Sequence, residues 1–160
     1  MENSSYFISN RGLFGCFPSQ KNVDNLIENG VRYFINLTFS DEKRIKPYLL
    51  PTSCKQINYP IKDHNTPKNL ITFSSFIYKI SKILENLQQP HKIYIHCRGG
   101  HGRAGMIVAI LLCHIFKLTP QASLIKTAYF HSLRPSIKAK WKAIGSPHKY
   151  RQRAFVYRFF

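Results

Sequence analysis

Apolar residues recur at spacings of three and four in Leu70, Phe73, Ile77, Ile80, Leu84 and Leu87, the stripe of a long helix that faces a core, and Pro90 follows its end. Residues 106–116 form the longest apolar stretch, about half the roughly 20 needed to cross a bilayer, so they predict a buried helix rather than a membrane span. Between such stretches lie short runs rich in β-branched and aromatic residues. Residues 31–37 and 54–59 predict strands, residues 93–95 a short buried strand, and residues 7–13 a first strand near the N-terminus. Further helices are predicted over residues 22–29, with Gly30 as the stop, and over residues 120–132 and 147–159.

Strands therefore alternate with helices, and no repeat, linker or low-complexity tract divides the chain. The expectation is one α/β domain of 160 residues, a mainly parallel central sheet flanked by helices. A chain of this length buries roughly 70% of its unfolded surface and needs no disulfide or metal staple. Its four cysteines, Cys16, Cys54, Cys97 and Cys113, include no CxxC pair, and no secretory pattern opens the chain. A reducing, cytoplasmic setting is expected, with nucleus or virion as alternatives.

Charge adds a bias toward anions. The net charge is +17, from 24 Lys and Arg against seven Asp and Glu. All seven acids lie at or before Glu85, whereas residues 86–160 carry 13 basic and no acidic residues. Such a field draws in phosphorylated or polyanionic partners, and it requires any catalytic carboxylate to come from the first half.

The chemistry concentrates where the short strand at 93–95 meets the apolar helix, in His96-Cys97-Arg98-Gly99-Gly100-His101-Gly102-Arg103-Ala104-Gly105. Gly99, Gly100 and Gly102 permit a tight cradle of backbone N–H groups, and a helix start beside it is positive. The same environment favours a thiolate at Cys97, lowering a thiol from about 8.5 into the roughly 3.5 to 7.5 range, and Arg103 offers a two-pronged donor to phosphate oxygens. Cys97 is thus the expected nucleophile, Arg103 the phosphate clamp, and Arg98, Gly99, Gly100, His101 and Gly102 the substrate-binding turn.

This stretch resembles the signature HCxxGxxR[ST]G of the C-x5-R protein phosphatases, and the chain is most similar to the small dual-specificity members. The segment GCFPS at residues 15–19 and Ile35-Asn36-Leu37 extend the likeness over most of the sequence. The resemblance implies a protein tyrosine phosphatase-like fold with its phosphate-binding loop between a strand and a buried helix. It also implies hydrolysis of phosphotyrosine, with phosphoserine or phosphothreonine if the pocket is shallow, through a cysteinyl-phosphate and without metal or other cofactor. The family further requires a general acid on a loop about thirty residues upstream. Asp63, in a Pro-bounded loop at residues 60–67, fits that place; Glu42, near an earlier helix, and Glu85 fit it less well. Ala104 departs from the pattern, because most members carry a Ser or Thr whose hydroxyl assists the departing cysteine sulfur.

Other readings compete residue by residue. His91, His96, Cys97 and His101 lack zinc-finger spacing, so no metal site is expected. His96 tunes the thiolate or is a plain buried histidine. Arg98 and His101 form either a positive rim, at positions where phosphoinositide phosphatases carry lysines, or a solvated surface. Gln152 is weakly similar to a water-positioning glutamine of larger tyrosine phosphatases but reads more simply as a surface helix residue. Cys54 and Cys113 are candidates to trap an oxidised Cys97. Alternatives to protein dephosphorylation are an RNA 5′-triphosphatase, a phosphoinositide phosphatase, and a phosphate-binding module with weakened chemistry. RNA or phosphoinositide would then be the partner of the basic C-terminal half.

Overall fold

The computed structural model describes residues 2–160. The strand expected over residues 7–13 is a hairpin instead, β1 (Ser4–Ile8) and β2 (Gly12–Gly15). The chain reverses between them because Asn10 adopts φ 56°, a left-handed angle that asparagine tolerates, and the Arg11 N–H donates to the Ile8 carbonyl at 3.2 Å. Helix α1 (Gln20–Glu28) starts earlier than the periodicity predicts, since the Ser19 side chain accepts from the Asn22 N–H and caps it. Gly30, at φ 95°, ends it as expected.

Strands β3 (Val31–Asn36), β4 (Lys55–Asn58) and β5 (Lys92–His96) complete a five-stranded sheet in the order β1-β2-β5-β3-β4. All neighbours are parallel except the β1–β2 edge pair. Helices α2 (Leu70–Asn86), α3 (Arg103–Phe116), α4 (Pro120–Ser132) and α6 (Tyr150–Phe159) lie close to the predicted limits, and the short α5 (Ala139–Ile144) was not foreseen.

Alternation along the strands makes two cores. Phe14, Ile35, Ile93 and Ile95 face the larger one, beneath α2, α3 and α6, while Leu13, Phe34 and Tyr94 face a smaller one closed by α1 and Tyr48. Ile93 and Ile95 are fully buried, worth roughly 1.5–3 kcal/mol each. Helix α3 is buried from Arg103 to Cys113 between the sheet and its neighbours α2, α4 and α6. With β5 in the middle of the sheet and α3 in the middle of the helices, the turn between them has little freedom. No helix among the described residues is long and apolar enough to cross a membrane.

Candidate active site

The turn from Cys97 to Gly102 leaves the C-terminal end of β5 and enters α3. Its carbonyls are drawn outward by surrounding donors. The Phe17 N–H reaches Arg98 O at 2.9 Å, Arg134 Nη2 reaches Gly100 O at 2.8 Å, and both Ser146 Oγ at 2.8 Å and the His148 N–H at 3.1 Å reach His101 O. The amides of Arg98 to Gly102, by contrast, have no hydrogen-bond acceptor among the described residues. Gly100 holds φ 74°, and Gly102 caps α3 without any side chain, so the helix start is open to an anion. Cys97 is 3% exposed at the head of this cradle.

Arg103 is 1% exposed and its guanidinium is clamped. Glu42 grips it with both carboxylate oxygens, Oε2 lying 2.9 Å from Nη2, and Ile61 O accepts from Nη1 at 2.8 Å. Asp63 Oδ1 lies 3.1 Å from Nη2. Burial pushes the Arg103 guanidinium toward losing its proton, but the Glu42 pair and the nearby Cys97 and Asp63 outweigh this and hold it charged more firmly than usual. Its Nε is buried without a partner, the one edge left for an incoming oxygen. The expected acid, Asp63, thus stands at the site, with Oδ2 2.6 Å from Arg98 Nη2.

Glu42 is the residue that sequence reasoning passed over. The sequence places it near an earlier helix and makes it a weaker acid candidate than Asp63; it lies in the irregular segment after β3, where its Oε1 also accepts the Phe39 N–H at 3.1 Å. The signal available was scarcity: with seven acids in the chain, a buried Arg103 had few possible partners.

Several other expectations change. His96 is a fully buried histidine beside the turn; Tyr48 Oη lies 2.8 Å from its Nε2, and burial pushes the ring down to about 3, with the Cys97 backbone opposing and Arg103 adding to the shift. His101 is no positive rim: its ring stacks on Trp141 at 4.0 Å, Nδ1 meets His131 Nε2 at 2.8 Å, and burial pushes it down to about 4. Gln152 is fully buried rather than on the surface, because its helix runs back under the turn; its Nε2 donates to Asn65 O at 3.1 Å. Burial raises the Cys16 thiol, with Arg134 opposing and Cys97 adding to the shift; Cys113 donates to Ser123 at 3.1 Å and Cys54 contacts Val31 O.

Arg134, which no motif flagged, lies under the turn at 4% exposure. It has no carboxylate partner among the described residues; it donates to Gly100 O and packs over the Phe14 ring at 4.6 Å. Burial lowers its proton affinity, while the nearby Tyr94, Cys97 and Cys16 oppose the loss. A buried cation without an acid costs several kcal/mol unless an anion sits nearby, and the cradle is the place for one.

A buried cysteine, a turn whose amides have no acceptor, a clamped guanidinium and an adjacent carboxylate on a mainly parallel α/β sheet fit a cysteine-dependent phosphatase domain. The family model described as PTP-SAK, the Swiss Army Knife protein DSP-PTPase phosphatase domain, matches residues 14–155, and the chain belongs to that family. It is 37% identical over 163 residues to "Putative tyrosine phosphatase 067L" of Invertebrate iridescent virus 3, and 41% identical over 130 residues to the similarly named 197R of Invertebrate iridescent virus 6. These alignments cover 100% and 81% of this chain but 66% and 48% of the two relatives, so the chain spans about two thirds of one and half of the other. The fold is similar to the crystal structure of Tk-PTP in its active form, with a TM-score of 0.75, 19% identity, and coverage of 98% of this chain and 95% of that one.

Proposed function

We propose that the protein hydrolyses phosphomonoesters on phosphorylated proteins, phosphotyrosine first, and phosphoserine or phosphothreonine where the pocket admits them. The observation that carries this reading is a turn between Cys97 and Arg103 whose amides from Arg98 to Gly102 have no acceptor among the described residues, closed by an Arg103 whose buried Nε has no partner. The phosphoryl oxygens occupy the Arg103 edge and the backbone amides of Arg98, Gly99, Gly100, His101 and Gly102. The Cys97 thiolate then attacks phosphorus: an S–P bond forms, the P–O bond to the leaving group breaks, and the Asp63 carboxyl hands its proton to the departing oxygen. In the second step water attacks phosphorus, its proton goes to the Asp63 carboxylate, and the S–P bond breaks to return the thiolate. The amides and Arg103 serve both steps, since they bind the charge that spreads over the equatorial oxygens.

The test is release of phosphate from 4-nitrophenyl phosphate and from a phosphotyrosine peptide. Wild type turns both over, Cys97→Ser falls to background, and Asp63→Asn loses about 10²- to 10⁴-fold, the range of general acid–base catalysis. Turnover retained by Cys97→Ser refutes the reading. The 13 basic residues after residue 85, with no acid among them, favour a polyanion as the second reading, and RNA bearing a 5′-triphosphate is the substrate it names. A panel of phosphopeptides, phosphoinositides and triphosphate-ended RNA at fixed salt ranks the two. Faster release from the RNA than from the peptide would replace the first reading with the second.

A further inference from the structure

The segment carrying Asp63 is pinned on both flanks by groups other than Asp63. On one side the Ile61 N–H donates to Leu37 O at 3.0 Å, and Ile61 O accepts from Arg103 at 2.8 Å. On the other, Arg151 Nη1 reaches Asn65 Oδ1 at 2.7 Å and Gln152 Nε2 reaches Asn65 O at 3.1 Å. Between the pins the backbone turns tightly, with His64 at φ 63° and its N–H on Asp63 Oδ1 at 3.0 Å. What holds the carboxylate against the phosphate-binding turn is a pair of guanidiniums from the two ends of that turn. Arg103 meets Oδ1 at 3.1 Å and Arg98 meets Oδ2 at 2.6 Å.

Arg98 is well placed for this. Its carbonyl accepts the Phe17 N–H at 2.9 Å, which fixes its backbone against the loop after β2. Its side chain is 41% exposed and crosses to Asp63, itself 30% exposed, instead of pointing away into solvent. Arg103 is committed to Glu42 and, with substrate bound, to the phosphoryl group. Arg98 has no second carboxylate partner among the described residues.

We propose that Arg98 is a positioning residue that docks the acid-bearing segment onto the phosphate-binding turn. Resting on the phosphatase reading, this inference gives that site a second arginine with a task of its own. Without Arg98, Oδ2 loses its nearest partner and the carboxyl group is held at Oδ1 alone, by Arg103 and the His64 N–H. Ground-state binding of the phosphoryl group is left to the amides and Arg103, so the loss falls on kcat and grows as the leaving group becomes harder to expel.

The experiment compares wild type, Arg98→Ala, Arg98→Lys and Asp63→Asn on a series of aryl phosphates from 4-nitrophenyl phosphate, which needs little protonation, to phenyl phosphate, which needs much. Pairing of half-exposed ions shifts an equilibrium by up to about fivefold, and a misplaced reacting group costs up to about 10²-fold, so Arg98→Ala should lose roughly five- to fiftyfold in kcat on phenyl phosphate. Its loss on 4-nitrophenyl phosphate should be several times smaller, with KM little changed, and Arg98→Lys should recover part of the difference. An equal loss on every leaving group, or a rise confined to KM, would make Arg98 a phosphate ligand and overturn the proposal, as would no loss at all. If Asp63→Asn itself shows no dependence on the leaving group, the acid assignment fails and the positioning role with it. A steep dependence in Asp63→Asn beside a flat one in Arg98→Ala overturns the positioning role alone.

Discussion

Replacing Glu42 with glutamine removes the charge opposite a guanidinium that is 1% exposed while keeping nearly the same shape. Breaking a buried pair by neutralising one partner costs about 3–5 kcal/mol when nothing else holds the orphaned charge. Here Arg103 keeps Asp63 at 3.1 Å and the Ile61 carbonyl at 2.8 Å, and the glutamine oxygen still accepts one bond. The expected cost is therefore smaller, about 2 kcal/mol, which for a chain of this size lowers the melting midpoint by about 4–8 °C. The kinetic effect should be larger than the thermal one. A guanidinium free to swing by 1 Å or so no longer presents Nε to the phosphoryl group, and displacement on that scale costs about 10²-fold in kcat/KM. Differential scanning calorimetry and steady-state hydrolysis of 4-nitrophenyl phosphate measure the two. An unchanged midpoint together with unchanged kcat/KM would show that Ile61 and Asp63 hold Arg103 unaided, and the clamp argument would be refuted.

Three further outcomes follow from the same geometry. Gly100→Ala places a methyl group within 2.6 Å of the Cys16 backbone N at φ 74°, so it should destabilise the fold by about 1–3 kcal/mol in urea titration and remove most activity; a fully active variant would contradict the packing described. Ala104→Ser restores a hydroxyl at the position where the family pattern has one; rapid mixing should show a burst of leaving group in wild type that shrinks in the variant, and identical traces without a burst would dismiss a slow second step. His96 is held down to about 3 from an ordinary 6.5, so below pH 6.5 the unfolded chain takes up a proton that the folded one refuses. Stability is then level above about pH 7.5 and falls as pH drops toward 3, with about 1.4 kcal/mol lost through His96 alone by pH 5.5. His101 and His131, held down to about 4 and about 3, push in the same direction, and a urea midpoint that does not move between pH 8 and pH 5.5 would contradict this.

Much of the architecture was legible because its causes are local. The stripe from Leu70 to Leu87, the apolar run before Phe116, and Pro120 after Thr119 each mark a helix through residues within a turn of one another. The order of strand, glycine-rich turn and helix places Cys97 and Arg103 in one motif, since a few intervening residues tie them together. The hairpin at Asn10 was missed because a single asparagine can reverse the chain inside what looks like one apolar strand.

The remainder of the site joins residues far apart in the chain. Glu42 meets Arg103 across 61 positions, Asp63 meets Arg98 across 35, Arg134 meets Gly100 across 34, and Gln152 meets Asn65 across 87. None of these pairs has a sequence period, because each depends on where two separately formed elements come to rest and which way their side chains then point. Residue type and spacing therefore pointed to Cys97 and Arg103 as candidate nucleophile and clamp, and the family resemblance to an upstream carboxylate. Packing of the sheet against α3 and α6 decided which carboxylate holds the arginine, which arginine holds the acid, and that Gln152 and His101 turn inward, since burial leaves polar groups no water and obliges them to find one another.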